Sequence, residues 1–344
     1  MAKEVTLKTL AKKLNISPSL ACRALNDRYG VSDEIRELVK KTAEEMNYRP
    51  RISSTPSSQK LVFLFLDIAL SGIFSAQDIY SNMIDGICQH MNAKSICIEP
   101  FFLQNYKPSE LIAIIKNRQS CGGISIGRIG QDYIQAIHNA GMPLITVDPY
   151  HYYDQPVDSV RANNFAVGYR AAKHLVELGH RDLAFVGNSY YSISFKDRLD
   201  GFVYYIKNCG IKNIRWTSIE EELSPTSHIC SDEKILDFLH SPDRPSGIMC
   251  ANDACACVVI HHARTLGLSI PEDFSLVGCD TEQNFQRSMQ IKISSFSLYS
   301  FSMGVLAAEL LLNRIENSNF PTQYLQIEPE FFLGETTAPF HPKE

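Results

Sequence analysis

Apolar residues in the first 50 positions recur with the 3.6-residue period of short amphipathic helices. Thr6 can cap a first helix, Ser17 and Pro18 can begin a second after a tight turn, and Ser32 can cap a third. The apolar face of the first helix consists of Leu7, Leu10, Ala11 and Leu14. The inner stripe of the third consists of Ile35, Leu38, Val39, Thr42, Ala43 and Met46. This arrangement presents a recognition helix to a DNA major groove, although a structural three-helix cap gives the same pattern.

Residues 49–60 interrupt the pattern, because RPRISSTPSSQK offers a single Ile among Ser, Thr and Pro, and we interpret them as a linker. From residue 61 onward, short apolar runs alternate with amphipathic helices, which include predicted helices at about 108–118, 164–178 and 232–240. Two such series predict two α/β lobes with parallel sheets and a cleft between them. The expected domains are a headpiece at 1–48, an N-lobe at about 61–160 plus 291–320, a C-lobe at about 161–290 plus 321–337, and a tail at 338–344.

Charge is distributed unevenly along the chain. Residues 1–60 contain 12 Lys and Arg against 7 Asp and Glu, a net charge of +5, whereas the whole chain carries −5. The remaining residues therefore carry −10. A basic end on an acidic body is the asymmetry expected of a nucleic-acid-binding head.

Bulk composition indicates a globular protein, with 44% hydrophobic and 21% charged residues. No apolar run approaches the ~20 residues of a membrane helix, and the sequence MAKEVTLK is not a secretory signal. The 10 cysteines include no CxxC pair. We therefore expect free thiols in a reducing cytoplasm.

Several segments resemble the lactose-repressor (LacI/GalR) family of bacterial regulators. VTLKTLAKKLNIS, ACRALN and VSDEIRELVKKTAEEMNYRP are similar to the family's helix-turn-helix headpiece. AAKHLVELGHRDLAFVG, GIMCANDACA, RTLGLSIPEDFSLVGCD and GETTA are similar to its effector-binding domain. The resemblance covers most of the chain. It implies an all-α headpiece on a two-lobed, periplasmic-binding-protein-like domain, with three crossovers between lobes and a small-molecule site in the cleft. It also implies a location in the bacterial cytoplasm, on the nucleoid when the protein is bound to DNA.

The resemblance also implies which headpiece residues touch DNA. Arg23 stands at the arginine of the family's SRxLN pattern, where it could read guanine O6 and N7. Leu20 and Cys22 stand where the family usually has Thr and Ser, which removes polar contacts. The other candidates, for bases or phosphates, are Thr6, Ser17, Pro18, Ser19 and Asn26.

The linker departs from the family pattern. Family members have a hinge helix here that wedges a Leu into the minor groove. This chain has no Leu in the segment, and Pro56 disfavours a helix. Ile52 is the remaining apolar candidate for a wedge, and a plain flexible tether is the alternative.

Polar residues close several predicted strands, where ligands of α/β sheets bind. Carboxylates, an amide and a guanidinium near an aromatic ring suit a polyol, because each hydroxyl both donates and accepts hydrogen bonds. The expected effector contacts are Asp148, Arg198, Asn252 and Asp280, and the family resemblance adds the aromatic residues Phe74 and Trp216. Helix capping is the alternative role for the strand-end Asp and Asn residues, and core packing for the two aromatic residues.

This region also departs from the family. Asn163-Asn164 replaces Asp-Asn, Gly278-Cys279-Asp280-Thr281 replaces GxDD, and Gly334 stands where an Arg is usual. Ser294, Ser295, Phe296, Ser297 and Leu298 replace a TTxxQ segment. The missing Gln removes one expected contact between lobe and ligand.

Enzyme signals are weak, because the sequence contains no GxGxxG after the first strand and no GxxxxGK[ST]. The GxSxG match at 123–127 lies within the predicted strand GGISIG and does not support a nucleophile elbow. Cys255, Cys257, His261 and His262 could approach one another on a helix, but ordinary core packing explains them better than a metal site. We expect neither a cofactor nor a metal.

Together these features predict a sequence-specific DNA-binding regulator, a repressor, controlled by a small-molecule effector such as a sugar. The expected partners are palindromic operator DNA, the effector and a second copy of the chain. The alternative is a small-molecule sensor whose degenerate headpiece no longer binds an operator specifically.

Overall fold

The computed structural model describes residues 7–14, 16–17, 20–21, 24, 33–46, 60–66, 77–219, 231–280 and 290–341. The chain divides into a headpiece, Met1–Gln59, and a body, Lys60–Glu344. Each unit has its own apolar core.

The headpiece contains helices α1, Leu7–Lys13, and α2, Asp33–Glu45. Leu20 and Ala21 are also helical, and Ser17 Oγ accepts a hydrogen bond from the Leu20 N–H at 3.1 Å, which is the predicted cap. The buried core consists of Leu10, Ala24, Val39 and Ala43. One expectation fails, because Leu38 is 53% exposed and does not belong to the inner stripe.

In the described part of the body, the strands form two six-stranded sheets, one in each lobe, and this confirms the predicted two-lobed α/β class. The N-lobe sheet has the order β11-β5-β4-β3-β1-β2. Its strands are β1 Leu61–Leu66, β2 Cys97–Phe102, β3 Gly122–Ile126, β4 Leu144–Val147, β5 Asp158–Ala162 and β11 Tyr324–Ile327. Its helices are α3 Gln77–Ala93, α4 Pro108–Arg118, α5 Gln131–Asn139 and α10 Ser300–Glu316.

The C-lobe sheet has the order β12-β10-β9-β8-β6-β7. Its strands are β6 Asp182–Val186, β7 Arg215–Ile219, β8 Gly247–Cys250, β9 Ser275–Cys279, β10 Ser294–Ser297 and β12 Glu330–Phe332. Its helices are α6 Asn164–Glu177, α7 Ile193–Asn208, α8 Asp232–His240 and α9 Asp253–Thr265. Strands β5 and β7 were not predicted from the sequence.

The lobe boundaries differ from the sequence-based ones in two places. Strand β10 pairs with β9 and belongs to the C-lobe, whereas the sequence pattern predicts residues 291–320 in the N-lobe. Strand β11 pairs with β5 and belongs to the N-lobe, whereas the sequence pattern predicts residues 321–337 in the C-lobe. The final segment crosses between the lobes within the short Glu328–Pro329 link. Which lobe each of these strands joins is decided by pairing with distant strands, so the crossing leaves no periodic pattern in the sequence.

Strand β1 shows why the run LVFLFL is apolar throughout. Alternate side chains of a strand point to opposite faces. Val62 and Leu64 belong to the core that also contains residues of α3 and α10, while Phe63 and Phe65 pack with residues of α4 and α5. Both faces of the strand are therefore covered by helices.

Helices α6 and α7 cross at unusually close range. A Cβ on Gly168 would lie 1.8 Å from the Arg198 carbonyl oxygen, and one on Gly201 would lie 2.0 Å from that of Phe165. Glycine is required at both positions because any side chain would push the helices apart. This close crossing fixes the position of α7 relative to α6, and α7 carries Arg198 at the edge of the C-lobe.

Candidate effector cleft

The carboxyl ends of β4, β8 and β9 meet where the two lobes face each other, as expected for a ligand site in parallel α/β sheets. Asp148 follows β4, Asn252 lies two residues beyond β8, and Asp280 follows β9. Arg198 extends from α7 into this group and is only 3% exposed. We call Asp148, Arg198 and Asp280 the cleft triad.

Arg198 is held by three partners. Its Nε donates to Asn164 Oδ1 at 2.8 Å, one Nη donates to the Ala251 carbonyl, and the other lies 3.4 Å from Asp280 Oδ1. The guanidinium also lies over the Phe195 ring, 5.3 Å from its centroid. A buried cation is tolerated only when it is paired and hydrogen-bonded, and these contacts supply both.

Burial and the neighbouring charges have opposing effects on the pKa of the Asp280 carboxyl group. Burial raises its pKa to about 6, the negative charge of Asp148 acts in the same direction, and Arg198 opposes both. The Arg198 guanidinium lowers the Asp280 pKa by less than burial raises it, because the guanidinium is shared with Asn164 and Ala251 and lies 3.4 Å from the Asp280 carboxylate. Asp280 therefore takes up a proton more readily than an ordinary carboxylate.

Both acidic members of the cleft triad have left-handed backbone conformations. The φ angle is 47° at Asp148 and 108° at Asp280. Residues other than glycine rarely occupy this region, and such strain is concentrated at functional sites.

The lobes are joined across the cleft by hydrogen bonds. Ser194 Oγ, at the start of α7, donates to Asp148 Oδ1 at 2.7 Å. The Ile193 N–H donates to the Tyr150 carbonyl at 3.0 Å. On the same side, Arg161 Nη1 lies 2.9 Å from Asp197 Oδ2. Together they hold helix α7 of the C-lobe against the N-lobe. We call these three contacts the latch, and the arrangement in which they form the latched arrangement.

Three tyrosines form a chain of hydroxyls beside the triad. Tyr150 Oη lies 2.9 Å from Tyr80 Oη and 2.7 Å from Tyr191 Oη, so the chain runs from α3 of the N-lobe to the segment before α7. All three side chains are buried, and burial raises the pKa values of Tyr80 and Tyr150. We call this group the tyrosine chain. It keeps its protons and can both donate to and accept from a ligand.

The other expected effector residues behave differently. Asn252 Oδ1 accepts from the Cys255 N–H at 2.9 Å and so caps α9. Trp216 lies within the edge strand β7, 38% exposed, and pairs with Leu183 rather than standing at a carboxyl end. Its position does not support the aromatic role that the sequence analysis gave it. Phe74 lies outside the described residues.

Sequence reasoning missed several groups of the cleft. Asn164 was noticed only as a departure from the family pattern, yet it holds Arg198. Tyr80, Tyr150, Tyr191 and Ser194 were not considered. For Tyr150 a signal existed, because it stands only two residues beyond Asp148 at the same strand end.

Among the candidate DNA contacts, the structure describes Ser17 and Leu20, and the Ser17 hydroxyl is occupied in capping. The expected contacts outside the described residues are Thr6, Pro18, Ser19, Cys22, Arg23, Asn26 and Ile52.

Within the described ranges, no cluster of His, Cys, Asp and Glu is arranged to hold a metal ion. The cysteines that the structure describes are free thiols, and Cys255 and Cys257 are buried in the C-lobe core. No helix in the described part of the chain has the length and apolar character needed to cross a bilayer.

Comparison with known proteins agrees with this architecture. Residues 6–51 match the family model "Bacterial regulatory proteins, lacI family", and residues 172–337 match "Periplasmic binding protein-like domain". The chain is 26% identical to the ribose operon repressor of Haemophilus influenzae, over 96% of this chain and 98% of that protein. It is 23% identical to the HTH-type transcriptional repressor PurR of Actinobacillus pleuropneumoniae, over 95% of this chain and 97% of that protein.

Solved structures share the fold over nearly the full length. The lac repressor dimer bound to operator and the anti-inducer ONPF aligns with a TM-score of 0.68 at 18% identity, over 98% of this chain and all of that one. A CelR–cellobiose complex aligns with a TM-score of 0.64 at 19% identity, over 97% of this chain and all of that one. The headpiece therefore belongs to the lacI family of bacterial regulatory proteins, the body contains a periplasmic-binding-protein-like domain, and the chain is similar to transcriptional repressors over nearly its full length.

Proposed function

We propose that this regulator is a repressor whose cleft binds a hydroxyl-rich small molecule, a sugar or sugar derivative. The observation that carries the proposal is the cleft triad, in which a buried guanidinium and two carboxylates stand beside the tyrosine chain. Sugar hydroxyls both donate and accept, and this set offers both kinds of partner. Two structural neighbours are described with cellobiose and with ribose bound.

Effector control follows from the latch between the lobes. A ligand that replaces the Ser194–Asp148 or Tyr150–Tyr191 hydrogen bonds has different affinities for the latched and unlatched arrangements. It therefore shifts the population between them. In a homodimer, this shift would change the spacing of the two headpieces on a palindromic operator, and operator binding would in turn change the affinity for effector. The cleft binds and does no chemistry in this scheme.

The experiment is genome-wide footprinting with the purified full-length protein, followed by thermal-shift titration of a sugar panel. We expect a small set of palindromic sites whose neighbouring genes identify the effector's pathway. Asp280→Asn should remove the thermal shift produced by the effector while DNA binding in its absence is kept. Sugar binding without any specific footprint would support the sensor alternative instead.

Arg23 provides the sharpest test of the headpiece. Arg23→Ala should cost ~1–3 kcal/mol of binding free energy at one base position in each half-site, because a bidentate contact to guanine is lost. The measurement compares the operator with variants at each position and with random DNA. Equal losses on operator and random DNA would assign Arg23 to phosphate contact only.

A further inference from the structure

A cavity of about 400 Å³ lies beside the crossover strands, under the loop that joins β4 to β5. Thr146 of β4, Arg161 of β5 and Tyr324 of β11 line it, and Ile193 of α7 contributes from the C-lobe. We call it the hinge pocket. The lining does not include Asp148, Arg198, Asn252 or Asp280, so this cavity is distinct from the cleft.

Two buried polar atoms of the lining residues lack a hydrogen-bond partner among the described residues, Tyr153 Oη and Gln155 Nε2. The orientation of the Gln155 amide is fixed by its neighbours. Gln131 Oε1 accepts from the Asp154 N–H at 3.4 Å, which leaves Gln131 Nε2 to donate to Gln155 Oε1 at 2.8 Å. Gln155 Nε2 is then left over as a donor.

The unpaired hydroxyl is also a donor. Burial raises the pKa of Tyr153, so that its phenol keeps its proton. Buried polar groups without partners destabilise a protein, and their persistence calls for an explanation. A third buried polar atom without a hydrogen-bond partner in the described residues is Ser125 Oγ. Ser125 is the neighbour, on β3, of the lining residue Thr146 on β4.

The walls suggest the shape of an occupant. Tyr152, Tyr153 and Tyr324 contribute aromatic rings, and stacking on such rings favours a planar molecule. The charge of Arg161 is balanced by Asp197 at 2.9 Å, so the pocket does not require an anion. Its volume falls at the small end of the ~300–1,000 Å³ typical of ligand sites.

We propose that the hinge pocket is a second ligand site, which takes a small planar aromatic molecule bearing a carbonyl or carboxylate oxygen. Tyr153 Oη and Gln155 Nε2 are buried in the wall of the cavity, and their side chains turn these donors toward that oxygen when the molecule binds. Because Ile193 and the Arg161–Asp197 pair lie on the lobe boundary, an occupant stabilises the latched arrangement of the lobes. The pocket thus gives the regulator an input separate from the cleft.

The test uses benzamide and benzoate as probes, titrated against the full-length protein with saturation-transfer NMR. We expect at least one probe to bind with a dissociation constant on the order of 1 mM, a typical strength for so small a molecule. Cyclohexanecarboxamide carries the same amide on a non-planar ring and should bind more weakly. The two probes distinguish a neutral carbonyl from a carboxylate.

Three variants locate the bound probe. Tyr153→Phe should weaken binding about fivefold through loss of one hydrogen bond, and Gln155→Met should act in the same direction. Tyr204→Phe makes the same chemical change on an exposed tyrosine of α7 outside the pocket, and should leave binding unchanged. Tyr80→Phe alters the tyrosine chain and should also leave it unchanged. The proposal is overturned if neither probe binds, or if Tyr80→Phe weakens binding while Tyr153→Phe does not.

Discussion

Thr146 and Asp148 stand two residues apart on one strand end, yet they belong to sites of opposite character. In the cleft, Asp148 accepts from Ser194, and Arg198 is engaged by three groups of the protein. In the hinge pocket, Tyr153 Oη and Gln155 Nε2 find no partner among the described residues.

The difference bears on how each site can respond to a ligand. A cleft whose polar groups satisfy one another is ordered without a ligand, and a ligand must exchange hydrogen bonds to enter. Such an exchange couples binding to the lobe arrangement. A pocket with unpaired donors gains hydrogen bonds when it is filled and loses none. The first site is suited to switching and the second to stabilising.

The largest expected effect tests the paired character of the cleft. Arg198→Met should lower the free energy of unfolding by about 3–5 kcal/mol, because Asp280 and Asp148 would face each other without a cation. Urea unfolding measures the loss. Arg215→Met is the control, since it breaks an exposed pair with Asp182 and should change stability little. Equal effects of the two substitutions would contradict the assignment of Arg198 as a buried, paired cation.

The tyrosine chain gives the next largest effect. Tyr150→Phe removes the hydroxyl that bridges Tyr80 and Tyr191 and leaves two buried hydroxyls each short of one partner. We expect a loss of about 2 kcal/mol in urea unfolding. Full stability in this variant would mean that water or a changed rotamer replaces the chain without cost.

Much of this architecture is readable from the sequence. The rule that parallel sheets bind ligands beyond their carboxyl ends selected Asp148 and Asp280, and helical spacing located α4, α6 and α8 to within a residue or two. Burial on both faces of the sheet also made strands such as β1 recognisable as apolar runs.

The remaining features depend on contacts between distant segments. Strands β5 and β7 carry Asp158, Arg161 and Arg215, so they lack an apolar run, and β5 is stabilised instead by neighbours such as β11. Trp216 was expected in the cleft from its resemblance to a family position and from its aromatic ring, and neither feature distinguishes a strand end from a sheet edge. The hinge pocket is formed by β4, β5, β11 and α7 together, which no local pattern reveals.

A pH-dependent effect is expected for Asp280. Its folded-state pKa is raised to about 6, chiefly by burial, so its contribution to stability is fully present below the ordinary carboxyl pKa and is lost as pH rises through about 6. Relative to Asp280→Asn, the wild type should therefore become less stable by about 2 kcal/mol between about pH 4 and pH 7. Urea unfolding of both proteins across this range measures the difference. A difference that is constant with pH, or that grows in favour of the wild type, would show that the Arg198 attraction outweighs burial.

The smallest effect has the opposite sign and separates the two sites most clearly. Tyr153→Phe and Tyr150→Phe remove the same hydroxyl from tyrosines three positions apart, but the Tyr153 hydroxyl is buried without a partner in the described structure. Removing an unpaired buried polar group relieves its desolvation cost, so Tyr153→Phe should raise the free energy of unfolding by up to about 1 kcal/mol. Urea unfolding in ligand-free buffer measures the gain. If Tyr153→Phe is instead as destabilising as Tyr150→Phe, the hydroxyl of Tyr153 has a partner, such as a bound water, and the hinge pocket is as fully satisfied as the cleft. If Tyr153→Phe both raises the free energy of unfolding of the ligand-free protein and weakens probe binding, the Tyr153 hydroxyl serves ligand binding rather than stability.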